Sequence, residues 1–166
     1  PGEKIVQRDL ANTLRRIGRE GRDALYKGYV ANAIDEEMNR HGGALSGADL
    51  AGYEAQVLEP TRTTYRGYEI FGSPVPAGTI TPLQTLNILE SFELSLLGHN
   101  SSEHLHLFIE ASRHAFADRY RFLGDPDFGP VPLNGMLSRD YAREIASSID
   151  CEQAALEKER ELQPWV

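Results

Sequence analysis

Four side chains capable of chemistry recur along one stretch of this chain. His106, Glu110, His114 and Asp118 stand at i, i+4, i+8 and i+12, which stacks them on one face of a helix. Imidazoles and carboxylates ligate zinc or move protons. Each step along that row is ~6 Å of helical rise, so a single ion would reach at most one adjacent pair. The competing reading is a solvated face, opposite a buried side made of Leu105, Phe108, Ile109, Ala115, Phe116 and Tyr120 and flanked by Arg113 and Arg121. That solvated face is the expectation, because charged groups in a row are usually the water side of a helix.

Other residues offer chemistry less directly. Asp118, Arg119, Asp125 and Asp127 cluster where a helix meets a turn. They read as a calcium or anion site, or as Asp side chains organising the turn with Arg119 paired to one of them; the second is expected. Pro1 has the secondary amine that serves as base or nucleophile in small tautomerases, but nothing else here resembles those enzymes. Tyr65, Tyr68 and Phe71 form an aromatic strip, explained most simply by hairpin packing. Thr79 and Thr81 precede a helix as candidate caps, with no neighbouring base to make either a nucleophile. Phosphate loops, dinucleotide glycine fingerprints, His-Glu-x-x-His and Gly-x-Ser-x-Gly are all absent from the sequence.

Elements that would position these groups follow from periodicity. Leu10, Leu14 and Ile17 mark a first helix closed by Gly18 and Gly21. A short turn opens at Asp23, and Val30, Ile34 and Met38 form the stripe of a helix from about Gly28 to Met38, stopped by His41-Gly42-Gly43. Ser46 and Asp49 begin a helical turn that ends near Tyr53. Thr61 to Tyr65 and Tyr68 to Phe71 read as a β-hairpin around Arg66-Gly67. Past the prolines at Pro74 and Pro76, helices are predicted from Pro82 to Phe92, from Ser101 or Ser102 to Leu123, and from Ser138 to Ser147. Gly124-Asp125-Pro126-Asp127 ends the second of these. Beyond Asp150 the composition suggests a marginal helix or mobile tail. The fold class is therefore mainly α (α+β), a helical domain with one hairpin. The hairpin either packs on the helices or joins a larger sheet elsewhere, since two strands alone are marginal.

Bulk properties narrow the partners. Formal net charge is −8 across 166 residues, which repels nucleic-acid phosphates and anionic membranes. No apolar run approaches the roughly 20 residues of a spanning helix. Cys151 is the only cysteine, which leaves no internal disulfide or thiolate cage. The start lacks Met and a signal peptide, so the chain reads as processed or cut from something longer.

An ordered set of strings then carries a family resemblance. It comprises Tyr26-Lys27-Gly28, Gly42-Gly43-Ala44-Leu45, Asp49-Leu50-Ala51 and Tyr65-Arg66-Gly67-Tyr68. Pro74-Val75-Pro76 and Gln84 with Leu86-Asn87-Ile88-Leu89-Glu90 follow, then His114-Ala115-Phe116-Ala117-Asp118-Arg119 and Leu123-Gly124-Asp125-Pro126-Asp127-Phe128. Over roughly residues 10 to 150 the succession is similar to the large subunit of gamma-glutamyltranspeptidases. The resemblance implies an N-terminal-nucleophile hydrolase with an αββα assembly, made as a precursor that cleaves itself into two subunits. It implies residues 1–150 as the C-terminal helical domain of the large subunit and residues 151–166 as a charged tail toward the junction. The partners would be the rest of the large subunit and a small subunit whose N-terminal Thr attacks gamma-glutamyl amides such as glutathione. No cofactor or metal is implied.

In the family that Thr opens a Thr-Thr-His-type run just downstream, and no such run precedes Val166. The oxyanion glycines belong to the small subunit, and a substrate-binding Arg lies upstream. No catalytic or substrate-binding residue of the family therefore maps onto this chain, and the chain alone is expected to be inactive. A periplasmic or extracellular parent is what the resemblance favours. One segment departs: Ala77-Gly78-Thr79 replaces a Ser-Ser-Gly-Gly-type turn, one residue shorter and without two hydroxyls. That leaves a related acylase open, as well as a stand-alone helical interaction domain of a different class.

Overall fold

The computed structural model describes residues 2–155; Pro1 and the predicted tail beyond 155 lie outside the described residues. The chain divides between Val57 and Leu58 into two compact units.

The first unit is helical: α1 (Arg8–Glu20), α2 (Asp23–Tyr26), α3 (Tyr29–His41) and α4 (Gly47–Gly52). Gly18 lies inside α1, which runs on to Glu20 and is capped by Gly21 alone, so one of the two expected stop residues does not stop it. The glycine pair after α3 serves two separate needs. Gly42 takes the left-handed cap at φ 71°, where a side chain would be strained. Gly43 donates to the Met38 carbonyl at 2.8 Å, and a Cβ there would lie 2.4 Å from Met38 Sδ. Ser46 and Asp49 close a reciprocal capping box on α4. Asp35 accepts from the Gly47 amide at 2.7 Å, and the Tyr26 and Tyr53 rings stack 5.2 Å apart.

The second unit is built around α5 (Ile80–Leu89), eight of whose residues are buried. A helix buried on most of its sides belongs in the middle of a fold, and four of these eight residues, Thr81, Gln84, Thr85 and Asn87, are polar. Against it lie α6 (Ser102–Phe122), α8 (Arg139–Ser148) and the hairpin of β1 (Thr61–Tyr65) and β2 (Tyr68–Gly72). A 3₁₀ turn at Leu94–Leu96 and a short α7 (Leu133–Met136) fill the connections. The strands pair antiparallel with Tyr65 opposite Tyr68. Arg66 and Gly67 turn the corner at φ 50° and 84°, the two positive φ values of a type I′ turn.

The hairpin packs on the helices. Thr63 Oγ1 donates to Asn87 Oδ1 at 2.5 Å, and Glu90 accepts from the Arg66 amide at 3.1 Å. Ile88, Leu107, Ala111, Tyr141 and Ile145 form the centre of the core. Ser101 and Ser138 cap α6 and α8 through their side chains. Thr79 does not cap α5: it is already helical in its dihedrals and makes no side-chain cap bond. Pro82 still falls in the first turn of α5, where its missing N–H costs nothing.

Candidate functional site

The row of groups on α6 is on the inside of the fold. Glu110 is 1% exposed, and His114 and Asp118 are buried with it. Leu105, Phe108, Ile109, Phe116 and Tyr120, expected to be buried, are exposed, Tyr120 by 83%; Ala115 alone of that set is buried. The physical reason lies in size. Ala111 and Ala115 let the α6 backbone approach α5 closely, and the polar groups beside them enter the interior because they find partners there.

Those partners define the best-formed polar cluster of the unit. The Asp118 carboxylate accepts from Gln84 Nε2 of α5 at 2.5 Å and from the Tyr141 hydroxyl of α8 at 2.9 and 3.2 Å. Burial raises the Asp118 pKa, opposed by the bonds from Gln84 and Tyr141 and by the Arg121 charge. The Tyr141 pKa is pushed up first by burial and then by the Asp118 charge, so the phenol stays a donor. The cluster thus ties three helices together, and among the described residues the buried Gln84 Oε1 is left without a hydrogen-bond partner. Its members are 34 and 23 residues apart, and no spacing rule joins them; only Asp118 stood out in the sequence.

The remaining candidates separate. Arg113 pairs with Glu110 at 2.9 Å and reaches the Ala155 carbonyl at 3.1 Å. His106 Nε2 lies 2.7 Å from the Asp150 carbonyl oxygen, one turn away from the buried groups. Among the described residues no three of His, Cys, Asp and Glu converge as metal ligands would.

Arg119 does not pair with its acidic neighbours. Its guanidinium donates to the Gly78 carbonyl at 3.4 Å. Gly78 is needed for this approach, since a Cβ there would lie 2.0 Å from Arg119 Nη1. Asp125 organises the turn as expected, accepting from the Asp127 amide at 3.0 Å. Tyr65 packs against the core, whereas Tyr68 and Phe71 stay exposed, which corrects the expectation that hairpin packing absorbs all three.

One cleft of about 360 Å³ runs between α5 and α6, lined by Thr81, Thr85, Leu86, Phe108, Phe116 and Arg119, among others. Thr85 Oγ1 donates to the Thr81 carbonyl at 2.9 Å, whereas among the described residues the buried Thr81 Oγ1 has no partner. No His, Asp, Glu or Lys among the described residues lines the cleft. Among the described residues its hydroxyls therefore have no neighbouring base of the kind nucleophilic catalysis requires.

Comparison with known proteins shows what this framework is. The family model for gamma-glutamyltranspeptidase matches residues 1–165. The chain belongs to the gamma-glutamyltranspeptidase family. It is 42% identical over 160 residues to the glutathione hydrolase proenzyme of Pseudomonas sp. (strain A14), covering 96% of this chain and 28% of that protein. It is 43% identical over 155 residues to the acylase ACY 1 proenzyme of Pseudomonas sp. (strain SE83), covering 93% of this chain and 28% of that one. The crystal structure of Helicobacter pylori gamma-glutamyltranspeptidase superposes with a TM-score of 0.83 at 37% identity, covering 93% of this chain and 44% of that chain. The gamma-glutamyltranspeptidase-family chain described here thus spans little more than a quarter of the curated relatives it matches.

Proposed function

We propose that this chain is the C-terminal part of the large subunit of a gamma-glutamyltranspeptidase-type enzyme. In this reading residues 1–150 form its helical domain and residues 151–166 lead toward the subunit junction of an αββα assembly. The parent cleaves gamma-glutamyl amides and passes the glutamyl group to water or to an amino acid or peptide. An N-terminal Thr outside this chain supplies the nucleophile: its hydroxyl oxygen bonds to the gamma-carbonyl carbon while its α-amine takes the proton. The carbon–nitrogen bond then breaks, the amine leaves with that proton, and a glutamyl ester is resolved by water or an acceptor amine. The observation that carries this reading is the family match over residues 1–165. The chemistry of the described side chains supports it, because the Asp118 cluster is committed to holding helices together.

Intact-mass analysis and N-terminal sequencing of the full gene product test the reading. Two polypeptides are expected, the smaller beginning with Thr; a single uncleaved chain with activity would contradict it.

A second reading, a related acylase, is favoured by the likeness to the acylase ACY 1 proenzyme and by the altered Ala77-Gly78-Thr79 segment. Comparing turnover of a gamma-glutamyl anilide with that of its analogue lacking the α-amino group decides between them. A preference for the analogue selects the acylase.

A further inference from the structure

We draw no further inference here: the strongest candidate, the cleft between the hairpin, the end of α5 and α8 lined by Thr64, Asn87, Glu90, Arg139 and Arg143, carries nothing because Arg139 is already held by Thr64 and Glu90 and Arg143 by Asp140, and nothing in the structure shows what covers it.

Discussion

Replacing Tyr141 by Phe isolates the bond that joins α8 to α6. The ring is 1% exposed and Phe keeps its volume, so the packing of the core is preserved. What disappears is the hydroxyl at 2.9 Å from Asp118 Oδ2. A hydrogen bond to a charged acceptor is worth about 1.5–3 kcal/mol, against about 0.5–1.5 kcal/mol when both groups are neutral. The expected loss at pH 7 is therefore about 1.5–3 kcal/mol with Asp118 ionised, shrinking toward about 1 kcal/mol once acid protonates the carboxyl.

The pH dependence has a definite sign. Burial raises the Asp118 pKa above its ordinary value of 3.8, so the folded state holds the proton after the unfolded state has released it. Between the two values stability falls as pH rises. Removing the tyrosine donor raises the folded value further and widens that window upward. Urea unfolding followed by far-UV circular dichroism, on the 166-residue chain and its Tyr141→Phe variant at neutral and acid pH, measures both effects. A loss below 0.5 kcal/mol at pH 7, or one equal at both pH values, would refute a charged bond. A double-mutant cycle with Asp118→Asn should return a coupling of about 1 kcal/mol or more.

Gly78→Ala forces the Arg119 guanidinium away from a Cβ that would otherwise sit 2.0 Å from it. Because the side chain is flexible, the cost should be about 0.5–1.5 kcal/mol and should nearly vanish in an Arg119→Ala background; additivity in that cycle would contradict the contact. Ser138→Ala removes the hydroxyl that caps α8 and should lower stability by about 1 kcal/mol, read from the same urea midpoints, whereas Ser138→Asn should be close to neutral. Ile88→Ala opens a cavity at a site with no exposure and should cost about 2–5 kcal/mol; a smaller loss would mean that α5 is not the centre of the core.

Punctuation of the chain was legible because it rests on local chemistry. Ser46, Ser101 and Ser138 cap helices, Gly42 ends one, and Arg66-Gly67 turns the hairpin, each within a few residues of its partner. The two faces of α6 were not legible. Counting large apolar side chains selects Phe108 and Phe116, but close approach to α5 is made by Ala111 and Ala115, with Glu110, His114 and Asp118 brought inside beside them. Sequence adjacency likewise suggested Arg119 as a partner for the acids around it, although neighbours at i and i+1 on a helix point apart. Its contact, Gly78, lies 41 residues away. The Gln84–Asp118–Tyr141 cluster depends on tertiary packing of three helices and has no local signature. The 3₁₀ turn and α7 are too short to show a period.

The account stands most directly on where the catalytic group resides. Side-by-side assay of the purified full gene product and of the 166-residue chain, each given a gamma-glutamyl anilide, measures this. Sustained turnover by the full product and none by the 166-residue chain is the predicted result. Turnover by the shorter chain alone, or a correctly folded full product that releases no glutamyl group from any acceptable donor, would contradict it.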